Sequence, residues 1–217
     1  MTLDLFDDSL ALPEREMLGE RAFLLRGFAA PRAAELLEAL AHIEKAAPFR
    51  HMTTPGGFEM SVALTNCGPL GWISDRERYA YSATDPSSGN PWPAMPAVLS
   101  EIARSAATEA GFGDFVPDAC LVNRYVPGTR MALHQDKDES DLTAPIVSIS
   151  LGIPAVFLFG GHRRKHPAAR ITLRHGDVVV WGGVDRLRFH GVLPMKEASH
   201  PDLGSQRINF TLRKAGK

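Results

Sequence analysis

Cysteine is scarce in this chain, with only Cys67 and Cys120 among 217 residues. They lie far apart and in no metal-type spacing, which excludes a disulfide framework and a cysteine-built zinc site. Free buried thiols in a reducing cytoplasm are the expectation. Long apolar runs are missing as well. None approaches the roughly 20 residues of a membrane span, so no membrane partner is expected. The opening MTLDLFDDSL carries three aspartates and no apolar core, and reads as neither a secretory signal nor a basic transit segment. A charge of one sign is also lacking. The net value of −1 leaves no overall basic footprint, so any contact with DNA or RNA has to rest on local patches. There are no internal repeats and no low-complexity tracts.

What is present points to one compact domain with a full core. Residues 31–46 predict a helix, opened by Pro31, with Leu36, Leu37, Leu40 and Ile43 on one face. Residues 96–110 predict a second, with Val98, Leu99, Ile102 and Ala106 on one face and Gly111 as the stop. From Asp118 onward short β-rich runs take over, at 119–126, 145–151, 155–159, 171–174, 177–181, 187–190 and 207–213. The segment 50–93 reads as loop-rich, with turns at Thr54-Pro55-Gly56-Gly57 and Ser87-Ser88-Gly89-Asn90. The expected class is α+β, mainly β: a double-sheet jelly roll backed by N-terminal helices. Its expected parts are an extension at 1–22, helices and a lid at 23–116, and a jelly-roll core at 117–217.

A His-x-Asp/Glu pattern means little alone, since eight histidines and 25 acidic residues give about one match by chance. His42-Ile43-Glu44 lies in a predicted helix, where positions two apart diverge. His175-Gly176-Asp177 reads as a hairpin turn, with Gly176 supplying the permissive backbone. His134-Gln135-Asp136 differs, because it ends a β-rich run and opens a polar segment. With His190 it offers two imidazoles and a carboxylate, the ligand set of non-haem Fe(II) oxygenases. In 207–213 strict alternation puts Arg207, Asn209, Thr211 and Arg213 on one face and Ile208, Phe210 and Leu212 on the other. An ordinary half-exposed strand would look the same. If the polar face lines a barrel mouth, two guanidiniums there could grip the carboxylates of an organic cosubstrate. Asn123 and Tyr125 repeat the alternation on a second strand. In 69–81 Trp72, Tyr79 and Tyr81 interleave with Arg76 and Arg78, as in platforms for unpaired strands. Arg163-Arg164-Lys165 is a second basic patch.

Together these residues resemble the AlkB family of Fe(II)/2-oxoglutarate-dependent dioxygenases, from about Phe23 to Lys214. The segments that carry the resemblance include Met52-Thr53-Thr54-Pro55-Gly56-Gly57, Thr65-Asn66-Cys67-Gly68, Pro91-Trp92-Pro93-Ala94-Met95-Pro96, Leu133-His134-Gln135-Asp136-Lys137-Asp138-Glu139 and Arg207-Ile208-Asn209-Phe210-Thr211-Leu212-Arg213. The resemblance implies a double-stranded β-helix. It implies Fe(II) on His134, Asp136 and His190, and 2-oxoglutarate on Arg207 and Arg213 with help from Asn123, Tyr125 and Asn209. O₂ would be the other cosubstrate. The implied substrate is an N-alkylated base, 1-methyladenine or 3-methylcytosine, in mainly single-stranded DNA, or flipped from duplex DNA or RNA. That base would lie between His134 and Trp72, with Tyr79, Asp138 and Glu139 around it and Arg164 near the base or strand. A cytoplasmic monomer is expected.

Three other readings fit parts of the pattern. One is a 2-oxoglutarate oxygenase acting on RNA or another substrate. A second is a cupin-like metal-binding module without redox turnover, which would not need the arginine pair. The third is a non-catalytic single-strand binding domain, which the near-neutral charge disfavours.

Overall fold

The computed structural model describes residues 14–216. Both predicted helices form, α1 at Ala33–Ala46 and α2 at Ala97–Glu109. Pro31 sits in a short 3₁₀ turn at Ala30–Arg32 that leads into α1. The strands are β1 (Arg15–Gly19), β2 (Ala22–Leu25), β3 (Ala63–Cys67), β4 (Gly71–Ser74), β5 (Tyr79–Ser82), β6 (Ala119–Tyr125) and β7 (Met131–His134). They continue with β8 (Ile146–Gly152), β9 (Ala155–Phe159), β10 (Ala169–Leu173), β11 (Val178–Trp181), β12 (His190–Val192) and β13 (Arg207–Arg213).

Two sheets stack as the expected jelly roll. The larger runs β1-β2-β11-β8-β13-β6-β3, the smaller β10-β9-β12-β7, and β4 and β5 form a separate ribbon. The helices cover one face of the large sheet. There Leu36, Leu40, Ile43, Leu99 and Ile102 meet Val122, Val147, Ile149, Val178, Phe210 and Leu212. A second cluster fills the other side, where Leu64, Leu121 and Trp181 meet Phe157, Phe159 and Val192 of the small sheet. A sheet covered on both faces has no solvated side, and β2, β3, β8, β11 and β13 are buried at every position. The polar residues of β13 therefore face the interior between the sheets, not solvent.

Three sequence expectations change. The segment 50–93 is loop-rich as expected, but it also contains three short strands, β3, β4 and β5. β3, buried at every position, shows no alternation, and the Gly and Pro signals around all three strands hide what little pattern remains. Of the expected N-terminal extension, residues 1–13 lie outside the described residues, while β1 pairs with β2 at the edge of the large sheet. His175-Gly176-Asp177 is a turn with Gly176 at φ +83°, but it makes no hairpin. It carries the chain from β10 in the small sheet to β11 in the large one.

Cys67 and Cys120 are both buried and face each other in register across β3 and β6. Burial pushes the Cys120 thiol well above its ordinary value, and contact with Cys67 adds to this.

The turn at Gly176 also stacks His175 on His200, with centroids 4.3 Å apart and planes 11° from parallel. His175 Nδ1 accepts a hydrogen bond from the Gly152 amide at 3.1 Å, a role only the neutral ring can fill. Partial burial, then His200, lowers His175 below its ordinary 6.5. The unfolded chain therefore takes up this proton first, and stability should fall as pH drops from about 6.5 toward the lowered folded value. Urea unfolding at pH 7.5 and 5.5 checks this. Wild type should lose more stability on acidification than His175→Gln; equal losses would place the acid sensitivity elsewhere.

Candidate active site

Strand register builds the centre. β12 pairs with β7 so that His190 lies opposite His134, and cross-strand neighbours meet on one face. The two rings are 4.3 Å apart, tilted by 55°. Gly191 permits this closeness, because a Cβ there would lie 2.7 Å from the Met131 carbonyl oxygen. Asp136 completes the group. Its Oδ1 is 3.6 Å from His134 Nε2 and its Oδ2 is 3.8 Å from His190 Nε2. One ligand atom from each of the three residues lies within 4.8 Å of the others.

Each imidazole turns Nδ1 to a backbone carbonyl, His134 to Ala132 at 2.9 Å and His190 to Arg188 at 3.1 Å. A carbonyl can only accept, so Nδ1 carries the proton and Nε2 keeps its lone pair for a cation. Burial, then the neighbouring His134, brings His190 down to about 3, which keeps the ring neutral. Burial alone would raise Asp136. The Arg213 guanidinium and the two imidazoles reverse that and hold its carboxyl well below the usual range. Arg213 grips Asp136 Oδ2 through Nη2 at 2.6 Å and Nε at 2.9 Å. Two neutral nitrogens and one carboxylate suit a divalent metal such as Fe(II) and leave positions for other ligands.

Beside this centre lies a place built for an anion. The pairing of β13 with β6 sets Arg207 opposite Tyr125 and Asn209 opposite Asn123. Arg207 is 2% exposed and has no carboxylate partner among the described residues. It donates from Nη2 to Ser150 Oγ at 3.0 Å and lies over the Tyr125 ring. Its Nε and Nη1 are buried without a partner, as are Arg213 Nη1 and Asn123 Oδ1. Burial lowers Arg207 from its ordinary value, with Tyr125 opposing. A buried cation with idle donors is costly alone and fits a carboxylate in fork geometry. These orphaned atoms are what the dianion 2-oxoglutarate would satisfy.

The expected base-pocket residues divide into two groups. Trp72 and Tyr79 stack at 5.5 Å, 18° from parallel, on the β4–β5 ribbon. Trp72 Nε1 donates to Asp138 at 3.1 Å, which ties that ribbon to the chain just beyond Asp136. Arg164 lies over the Phe189 ring and donates to the Leu133 carbonyl next to His134. Glu139 instead points inward. It takes the Tyr81 hydroxyl at 2.7 Å and Arg186 Nη2 at 3.0 Å, with Arg213 Nε at 3.4 Å.

Residues 21–213 match the 2OG-Fe(II) oxygenase superfamily. The alpha-ketoglutarate-dependent dioxygenase AlkB of Escherichia coli (strain K12) is 54% identical over 99% of each chain. The chain belongs to the AlkB family. The AlkB of Salmonella typhimurium (strain LT2) is 53% identical, again over 99% of both chains. The solved structure of OsALKBH1 superposes with a TM-score of 0.82 at 27% identity, covering 93% of this chain and 100% of that one. This AlkB-family chain is an alpha-ketoglutarate-dependent dioxygenase whose cofactor is Fe(II) and whose cosubstrates are 2-oxoglutarate and O₂.

Sequence reading missed Ser148, Ser150 and Arg186. The serines alternate with Val147, Ile149 and Leu151, the same period-two signal that marks β13. Ser148 Oγ accepts from Asn209 Nδ2 at 2.8 Å. Arg186 follows a short 3₁₀ turn and carries no periodic signal at all.

Two outcomes follow from this geometry. Asp136→Ala should keep the far-UV spectrum yet lose Mn(II) binding measured by titration, because the carboxylate closes the group without filling the apolar core. Retained Mn(II) affinity would move the metal elsewhere. Arg207→Ala should raise the 2-oxoglutarate KM at least tenfold, since losing one partner of a buried charge pair costs about 2–5 kcal/mol. An unchanged KM would move the cosubstrate site.

Proposed function

We propose that this chain oxidatively demethylates N-alkylated bases, 1-methyladenine and 3-methylcytosine, in mainly single-stranded DNA. Formaldehyde, succinate and CO₂ are the products, and the role is repair of alkylated DNA. The carrying observation is the Trp72–Tyr79 stack, joined by Trp72 to Asp138, two residues past the candidate ligand Asp136. An aromatic platform beside a metal centre suits a planar base, because every base offers a π-face.

Iron with 2-oxoglutarate and O₂ supplies the oxidation of the N-methyl group. The chain's own residues do the rest. Arg207 and Arg213 hold the cosubstrate carboxylates, with Arg207 on the distal one, and Asn123, Tyr125 and Asn209 fix its orientation. The burial of His190, Asp136 and Arg213 limits water at the reacting position. A base stacked inside a duplex cannot reach this place, so the substrate is single-stranded or flipped. Arg164 and its neighbours at the 163–165 tip would meet phosphates, a contact that weakens with salt. The working form is a cytoplasmic monomer.

Asp138 supplies selectivity. 1-Methyladenine and 3-methylcytosine are cations at neutral pH, whereas 3-methylthymine is not. A carboxylate at about 4 Å is worth roughly 1–4 kcal/mol to a cation, depending on local dielectric. The exposure of Asp138, with its hydrogen bond from Trp72 beside the aromatic stack, supports that reading.

Mass spectrometry of oligonucleotides carrying each lesion, incubated with Fe(II), 2-oxoglutarate and ascorbate, tests the reading. Loss of 14 mass units from 3-methylcytosine, about one CH₂ per lesion repaired, is the expected result; no mass loss with succinate still forming would point to another substrate. Asp138→Asn should narrow the preference for 3-methylcytosine over 3-methylthymine by about tenfold, the scale of one charged hydrogen bond. Equal losses on both bases would make Asp138 a brace only.

A further inference from the structure

Asp136 lies in the 135–145 segment between β7 and β8, which has no helix or strand of its own. Loops without ladder hydrogen bonds ordinarily have many conformations, yet a metal site needs its ligands held to within about 0.5 Å. Something outside the segment must fix it. Arg186 makes contacts that can. Its Nη1 donates to the Asp136 carbonyl at 2.6 Å, its Nε to the Ala144 carbonyl at 3.1 Å, and its Nη2 to Glu139 Oε2 at 3.0 Å. One guanidinium thus holds the segment near its start, middle and end. Arg186 is 3% exposed, so its planar fork is itself fixed by packing.

The other contacts reinforce this arrangement. Gln135 Nε2 donates to the Leu187 carbonyl at 2.5 Å, so the residues beside Asp136 and Arg186 are joined a second time. Arg186 lies four residues before His190 and therefore links the approach to one candidate ligand with the loop that carries another. Glu139 extends the link to Tyr81 on the β4–β5 ribbon and to Arg213, which grips the Asp136 carboxylate.

We propose that Arg186 is a positioning residue for the metal centre. It touches neither metal nor substrate; it holds the Asp136 backbone so that the carboxylate meets His134 and His190. This rests on the reading of His134, Asp136 and His190 as the metal ligands.

The test measures Mn(II) affinity in the full chain without cosubstrate, beside far-UV circular dichroism and the kcat and KM for 2-oxoglutarate. Arg186→Gln should keep the spectrum and weaken Mn(II) binding by roughly 10–100-fold, the range for partners that orient ligands. Arg186→Lys should recover part of that loss, because an ammonium reaches one carbonyl but not three acceptors. Removing one partner of a buried pair also unbalances charge, so Arg186→Met with Glu139→Gln is the control. It leaves no buried unpaired carboxylate at 139, and should fold while still binding Mn(II) at least tenfold more weakly. Mn(II) affinity within about twofold of wild type in either folded variant overturns the proposal, whatever happens to activity. Asp136→Ala separates the two readings. If it binds Mn(II) like wild type, the ligand assignment itself fails; if it loses Mn(II) while the Arg186 variants do not, only the positioning role fails.

Discussion

Everything at the centre of this chain depends on balancing charges taken out of water. Asp136, Glu139, Arg186 and Arg213 are all buried between or beside the two sheets. Each would cost several kcal/mol if left alone there. They therefore occur as an interlocked set, in which Arg213 serves both carboxylates and Glu139 serves both guanidiniums. Arg207 stands outside the set, with a hydroxyl for a partner and donors to spare. The centre thus holds one guanidinium, that of Arg207, which this set does not balance. A divalent cation and a dianion add no net charge together, so binding both leaves the charge of this centre unchanged.

Layering explains why the charges can be there at all. The helices and one apolar cluster seal the outer face of the large sheet. The second cluster, with Trp181, Phe157 and Phe159, packs between the sheets close to His190. Rigid strands on both sides hold Arg207, Asn209 and Asn123 in cross-strand rows, so the hydrogen-bonding groups need no rearrangement to face one ligand. Of the three candidate metal ligands only Asp136 stands on irregular chain, and it is there that side-chain contacts replace the sheet as the source of order.

Much of this was legible in the sequence, and the physical reason differs from residue to residue. β13 was readable because its period of two survives burial: polar and apolar residues still alternate when both faces are covered. The two helices announced themselves by their apolar stripes and by Pro and Gly at their ends. His134 and Asp136 were found by spacing, and His190 by its place at a strand end. What places His190 against His134 is register, which no local pattern encodes. β3 escaped notice because it is apolar or uncharged throughout and flanked by turn residues. Ser148 and Ser150 were visible in principle, by the same alternation as β13. Arg186 was not, since a charged residue in a loop looks alike whether it meets solvent or three buried acceptors. The inward turn of Glu139 was hidden for the same reason, next to an exposed Asp138.

The meeting of Cys67 and Cys120 across β3 and β6 has a use of its own. These are the only thiols of the chain, and both are sealed from solvent. A thiol reagent needs an accessible thiolate, which the native packing withholds. Both thiols lie in the apolar cluster beneath the helices, so modification must wait until that packing opens, and its rate under native conditions reports how often it does. The chain thus carries a built-in chemical clock for the seal between the helices and the large sheet, read with a thiol reagent alone.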